Sequence, residues 1–373
     1  MEAFYPLHVR VCERCFLVQL QEYITPSEIF TEYAYFSSYS ESWIRHAYQY
    51  TEMMTTRFAL TEQSFVVEVA SNDGYLLQHF VAKGIPVLGI DPARNVAPAA
   101  RERGVPTVVE FFGSDVARAL SAEYGRADII AANNVLAQVP DLNDFVAGFR
   151  ILLAPAGVAT FEFPHLMRLI EENQFDTIYH EHFSYFSFLT ACEIFEEHGL
   201  RVFDVDTLSS HGGSLRLYVC HTEGAHPTSE RVADLAMRET EAGYRTLEPY
   251  QGFGARVEET KRALLEFLIG AKRAGSSVAG YGAPGKGNTL LNYSGIRTDL
   301  LEYTVDRNPY KQGRFLPGTH IPIFEPQRLN ETQPEFILIL PWNLRNEIAS
   351  QLSKTMTWDA QFVVAIPQLE VFQ

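Results

Sequence analysis

Residues 65–74 read Phe65-Val66-Val67-Glu68-Val69-Ala70-Ser71-Asn72-Asp73-Gly74: a short apolar run that gives way to small and polar residues and ends on glycine. A run of this length closed by a turn signal predicts a buried strand, and the small residues after it let the backbone approach a ligand. Further strand-length runs at residues 86–90, 107–109, 128–132 and 158–163 alternate with helical stretches. That alternation predicts an α/β fold with a Rossmann-like, doubly wound sheet and a ligand crevice at the strands' carboxyl ends. Asp91 closes the second strand, where an acid can accept hydrogen bonds from two ribose hydroxyls.

Outward from this core the pattern changes on both sides. Upstream, Thr25-Pro26-Ser27-Glu28 combines an N-cap, a proline at the first turn and a carboxylate three residues on, predicting a helix start. The tyrosine-rich string of residues 33–40 follows, and a second helix begins near Glu41, with Trp43, Ile44, Ala47, Met54 and Phe58 at helical spacing. Downstream, strands are expected at residues 201–205 and 215–220 and a charged helix at residues 250–274. A second alternating section has strands at residues 277–281, 302–305, 336–340 and 362–366. Three domains are expected: residues 1–60, 61–249 and 250–373, the last a second, C-terminal Rossmann-like α/β domain.

The bulk numbers exclude some functions. A net charge of −16 over 373 residues repels polyanions, so nucleic acid is not the expected partner. The longest apolar runs are strand-length, far short of the roughly 20 residues of a membrane span. The sequence opens without the basic and apolar regions of a signal peptide, and a cytoplasmic location is the expectation. Of four cysteines, only Cys12 and Cys15 have suggestive spacing. They make half of a tetrahedral zinc site, so metal binding is expected to be incomplete.

Two loops compete for a cofactor. Glu68 and Asp73 in the first disfavour a pyrophosphate and tolerate the cationic sulfonium of S-adenosylmethionine. The second, Gly280-Tyr281-Gly282-Ala283-Pro284-Gly285-Lys286-Gly287-Asn288, satisfies the dinucleotide fingerprint after a strand, with Asp306 ending the next strand. An NAD-dependent oxidoreductase therefore stays open on the residues alone. Lys286 and the loop N–H groups equally suit a nucleotide-sugar diphosphate.

Between the two sections lies Tyr179-His180-Glu181-His182, followed by Phe183-Ser184-Tyr185-Phe186. Histidines two apart diverge on a helix, so this is not a zinc-protease motif. They share a face on an extended segment, where an imidazole can move protons near neutrality. Glu162, His165 and His320 are read as structural, and His211-Gly212-Gly213 as a tight turn.

Taken together, several strings resemble the S-adenosylmethionine-dependent sugar C-methyltransferases that modify deoxysugars for antibiotics and surface glycans. They are Tyr5-Pro6-Leu7, Cys12-x-x-Cys15 with Leu17-Val18-Gln19-Leu20, residues 33–40, the first loop, Asn133-Asn134-Val135-Leu136-Ala137, residues 179–187 and residues 280–292. The resemblance implies a small zinc-bearing N-terminal domain, here a knuckle remnant, a central donor-binding domain, and a C-terminal domain that helps hold the substrate. It implies S-adenosylmethionine as cofactor, held by Glu68, Ala70, Asn72, Gly74, Asp91 and Asn133, and a dTDP-linked 4-keto-deoxysugar as substrate. His182 would be the general base, Glu181 its orienter, and Tyr179 and Tyr33 hydrogen-bond donors to the oxygen that gains charge. Tyr35, Gln138, His180, Lys286 and Asn288 would contact the substrate. Two departures stand out. The family's earlier cysteine pair is absent, implying a shortened start or a lost metal. Gln138 stands where the family usually carries histidine, and glutamine cannot exchange a proton. A catalytically idle sugar-binding relative is the further alternative.

Overall fold

The computed structural model describes residues 2–33 and 35–373; Met1 and Ala34, the latter inside the tyrosine-rich string, lie outside the described residues. The chain divides into two compact units. One comprises Arg10–His165 and His180–Thr246, the other Met1–Val9, Leu166–Tyr179 and Leu247–Gln373.

The chain opens with β1 (Val9–Val11) and β2 (Val18–Leu20). The helix Pro26–Phe30 starts as its sequence predicts: Thr25 N–H and its hydroxyl both donate to Glu28 Oε2, at 3.0 and 2.7 Å. Helix Glu41–Arg57 follows, its amino end capped by Ser40 and its buried face formed by Ala47, Tyr50, Thr51 and Met54, the three-to-four spacing of an amphipathic helix. Then come β3 (Val66–Val69), β4 (Val87–Ile90), β5 (Thr107–Val108), β6 (Ala127–Asn133) and β7 (Leu153–Pro164), the short β8 (Ser184–Tyr185), and β9 (Leu200–Leu208) and β10 (Ser214–His221). The main sheet has the order β5-β4-β3-β6-β7-β10-β9, and β2 lies between β1 and β8 in a smaller sheet. Strands β3 to β7 are parallel, while β10 runs antiparallel to β7 and β9.

Alternation along β3 splits the core in two. Val67 and Val69 join one apolar cluster with Phe149, Phe161 and Phe163, whereas Val66 joins Tyr50, Met54, Phe80 and Tyr218 on the opposite face. Each large buried side chain contributes about 1.5–3 kcal/mol. Glu68 shares a face with Val66. The order reverses between β3 and β6, which puts the crevice at their carboxyl ends.

In the other unit, the helix Phe253–Ala274 ends at Gly275, with φ 78°. After it come β11 (Val278–Tyr281), β12 (Thr304–Val305), β13 (Ile323–Phe324), β14 (Phe336–Ile339), β15 (Gln361–Val364) and β16 (Glu370–Phe372). Their order is β13-β12-β11-β14-β15-β16, parallel except for β16. Both units thus carry the doubly wound pattern.

Candidate active site

Glu68 leaves β3 wholly buried, and the Tyr75 phenol stands beside it, turned also towards Asn133 at the end of β6. Burial pushes the Glu68 carboxyl well above its ordinary range; Asp91 and Asp73 add to the shift and Tyr75 opposes it. Among the described residues neither Glu68 oxygen has a well-formed hydrogen bond, and Asn133 Oδ1 is buried in the same condition. Such groups are costly to keep. A cationic ligand with polar substituents is the kind of group that offsets the cost, and the sulfonium, ammonium and ribose of S-adenosylmethionine fit that donor set.

The loop after β3 is shaped for close approach. Ala70, Asn72 and Gly74 have φ of 60°, 47° and 76°, a left-handed region that non-glycine residues enter only when their surroundings enforce it. Asn72 is held from three sides. Its backbone N–H donates to Asp91 Oδ2 at 2.8 Å, its Oδ1 accepts from Ser37 N–H at 2.9 Å, and its Nδ2 donates to the Tyr35 carbonyl at 3.1 Å. Asp91 Oδ1 accepts from Ala93 N–H at 2.9 Å. Asp91 therefore shapes the loop as well as closing β4; burial pushes its pKa up, its two N–H donors oppose that, and Asp73 adds to the rise.

The tyrosine-rich string lies across these loops. Tyr33 and Asn95 exchange two hydrogen bonds, Tyr33 N–H to Asn95 Oδ1 at 2.8 Å and Asn95 Nδ2 to the Tyr33 carbonyl at 2.7 Å. Asp73, expected beside the ligand, is committed elsewhere: it bonds Ser38 and lies 3.5 Å from Arg103. Its charge still reaches Glu68 and Asp91.

The His-Glu-His string enters the same unit as a turn at residues 180–181 that runs into β8. Val18 pairs with Tyr185 and Gln19 with Ser184, and Leu20 N–H reaches the Phe183 carbonyl at 2.9 Å. Phe183 N–H donates to the Ala137 carbonyl at 2.7 Å. That bond ties the backbone beside His182 to the 3-10 turn Leu136–Gln138 after β6. Tyr33 Oη donates to Glu181 Oε2 at 3.0 Å. Burial raises the Glu181 pKa and the tyrosine hydrogen bond lowers it. His180 packs edge-on to Tyr23, and His182 edge-on to Tyr185.

The first unit thus gathers Tyr33, Tyr35, Glu68, Ala70, Asn72, Gly74, Asp91, Asn133, Gln138, His180, Glu181 and His182. Tyr179, Lys286 and Asn288 belong to the other unit. There, two of the three glycines that imitate a dinucleotide fingerprint, Gly280 and Gly282, have packing reasons, as has Gly287 beyond the fingerprint, whereas a Cβ on the third, Gly285, would meet nothing within 4 Å. A Cβ on Gly280 would lie 2.7 Å from Thr304 Oγ1, one on Gly282 2.6 Å from Pro341, and one on Gly287 2.8 Å from Leu340.

Glu162, structural by its sequence, is the centre of a buried polar network on β7. Its Oε2 meets His46 Nε2 and Arg216 at 2.9 Å each, and its Oε1 accepts from Ser210 at 2.9 Å. Trp43 stacks on His46 and on Tyr75, linking this network to Glu68. The available signal was a carboxylate inside an apolar strand, opposite Arg216 in the register of β7 and β10.

Cys12 and Cys15 flank a turn, the first half-buried and the second exposed. Among the described residues no group of three or more histidine, cysteine and acidic side chains is placed to hold a metal ion, so the residues present do not form a closed zinc site.

Family models match in three stretches: a C-methyltransferase C-terminal domain over residues 209–367, a methyltransferase domain over 43–205, and a zinc binding domain over 1–30. The C-methyltransferase NovU of Streptomyces niveus is 37% identical over 370 residues, covering 99% of this chain and 88% of that protein. Among solved structures, magnesium protoporphyrin IX methyltransferase (ChlM) of Synechocystis PCC 6803 with bound SAH matches at 11% identity, over 48% of this chain and 82% of that one, with a TM-score of 0.37. An S-adenosylmethionine-dependent methyltransferase of Clostridium acetobutylicum matches at 10% identity, over 48% and 92%, with a TM-score of 0.37. Likeness at that level adds nothing to the fold described above.

Proposed function

The chain belongs to the S-adenosylmethionine-dependent C-methyltransferases, and from that premise we propose that its substrate is a nucleotide-linked 4-keto-deoxysugar methylated on the carbon beside the ketone. The observation that carries this reading is the Tyr33–Glu181 hydrogen bond. It joins the string that lies across the donor loops to the turn that bears His182.

A ketone acidifies the neighbouring C–H, and His182 removes that proton through a ring nitrogen. Glu181, positioned by Tyr33, orients the imidazole or a sugar hydroxyl. Tyr33, by turning its single O–H from Glu181 to the substrate, donates a hydrogen bond to the carbonyl oxygen as negative charge develops there. Tyr35, Gln138 and His180 hold the substrate, with Gln138 contributing a hydrogen bond and no proton transfer. When bound, S-adenosylmethionine supplies an electrophilic methyl group on a positively charged sulfur. Glu68, Ala70, Asn72, Gly74, Asp91 and Asn133 hold it, and the carboxylates of Glu68 and Asp91 favour its charge.

The test is proton exchange at carbon. In D₂O, with S-adenosylhomocysteine present, the protein should wash deuterium into the position beside the ketone of a dTDP-4-keto-deoxysugar, read by NMR. No exchange together with no methylation of any nucleotide keto-sugar would overturn the substrate assignment.

A further inference from the structure

One polar cluster in the unit containing residues 166–179 and 247–373 is incompletely satisfied. Asp176 lies in the 3-10 turn Phe175–Thr177 and is wholly buried. Its Oδ2 accepts from Trp342 Nε1 at 2.8 Å. Among the described residues its Oδ1 is buried without a well-formed hydrogen bond, although the N–H groups of Asp176 and Thr177 are close enough to lower its pKa. The same indole carries a cation on its face: Lys286 Nζ stands 4.7 Å from the ring centroid and donates to Asn343 Oδ1 at 2.8 Å. An ammonium has three donors, and this hydrogen bond uses one. Burial pushes the Asp176 carboxyl up to about 6 and pushes the Lys286 ammonium down, and each charge opposes the other's shift.

The pair selects among ligands by charge. A diphosphate suits Lys286 alone, because it would bring a second anion against the Asp176 carboxylate in a site of low dielectric. A neutral group that accepts one hydrogen bond and donates another suits both residues at once, taking a bond from Nζ and giving one to Oδ1. Sugar hydroxyls and the imide of a pyrimidine base share that chemistry. We propose that Asp176 and Lys286 form a specificity-determining subsite for such a neutral donor–acceptor group of the substrate, not for its diphosphate; this rests on the nucleotide-sugar reading above. Trp342 is the positioning residue, fixing the carboxylate with its N–H and the ammonium with its face.

The sign of one substitution decides between the two ligand chemistries. The full chain, loaded with S-adenosylhomocysteine, is titrated calorimetrically with inorganic pyrophosphate, thymidine 5′-diphosphate and the corresponding nucleotide-glucose. Asp176→Asn should weaken a nucleoside probe by roughly 10- to 100-fold, the range for a lost hydrogen bond to a charged group, and leave pyrophosphate unchanged. Weakening already seen with thymidine diphosphate marks the nucleoside part as the source, and weakening confined to the nucleotide-glucose marks a sugar hydroxyl. Lys286→Met should weaken the same probe and spare pyrophosphate, which keeps the test open if the Asp176 variant folds poorly. Tighter binding of the diphosphates in Asp176→Asn, loss of pyrophosphate binding in Lys286→Met, or no change with any probe would overturn the subsite. A wild-type protein that binds none of the three overturns the nucleotide-sugar reading, and the subsite with it.

Discussion

At the scale of single residues, the strand β3 and the loop after it contain groups that are poor for stability and that the proposed donor accounts for. Glu68 is a buried carboxyl without a well-formed hydrogen bond, its pKa raised chiefly by burial. Raising a carboxyl's pKa in the folded state means that its ionisation at neutral pH works against folding. Glu68→Gln should therefore raise the melting temperature while weakening S-adenosylhomocysteine binding; a variant that loses stability and keeps affinity would assign Glu68 to the fold. Asp91 makes the complementary case. Because both its oxygens hold backbone N–H groups, Asp91→Ala should lower S-adenosylhomocysteine affinity through the proposed ribose contact and the loosened loop together, as calorimetry can measure. For His182, removal of a general base costs on the order of 10²- to 10⁴-fold. His182→Asn should abolish deuterium exchange and methylation together and leave donor binding intact, and near-normal turnover would transfer the role to His180 or Tyr179.

At the scale of elements, the helix Glu41–Arg57 is fastened to the sheet by charge as well as by apolar burial. His46 on that helix and Arg216 on β10 meet Glu162 on β7, whose pKa is held down to about 2 despite its burial, by the His46 hydrogen bond and by the charges of Arg216 and His46. A carboxylate depressed below its unfolded value of 4.5 contributes stability in full above that pH, and the contribution is lost as pH falls towards about 2. Its size is roughly 3 kcal/mol by the linkage relation. Glu162→Gln should thus lower stability by a few kcal/mol at pH 7, with the difference from wild type shrinking below about pH 4. A gap that stays constant from pH 7 to pH 3 in urea denaturation would contradict this. The same scale shows a shared device in the two units. Asp306 accepts from Ala283 N–H at 2.7 Å and from Asn308 N–H at 2.8 Å, as Asp91 does from Asn72 and Ala93, so each sheet pins its first loop with the acid that ends the neighbouring strand.

At the scale of the whole molecule, two binding outcomes follow. The chain should bind S-adenosylhomocysteine and not NADH, since two of the three fingerprint glycines, Gly280 and Gly282, are explained by contacts with Thr304 and Pro341. It should carry less than one zinc per chain by elemental analysis, because Cys12 and Cys15 supply two ligands where a closed site takes four; stoichiometric zinc lost on Cys15→Ser would show that further ligands complete the site. What could be read from sequence alone was whatever repeats at short range. Apolar runs and turn residues marked β3 to β7, β9 to β12, β14 and β15, and the Thr25–Glu28 capping box is a four-residue signal. Five other strands of two or three residues, β1, β2, β8, β13 and β16, stand outside those apolar runs, and their pairing is set by distant partners. The identities of His182, Glu181 and Tyr33 were legible as strings, but their juxtaposition was not. It depends on Phe183 reaching Ala137, Tyr33 reaching Asn95 and Glu181, bonds between segments far apart in the chain. Glu162 is legible only as structural, and Asp176 not at all, for the same reason: a carboxylate's role depends on the charges that folding brings to it, and only the tertiary structure decided that Arg216 and His46 would meet one and Trp342 and Lys286 the other.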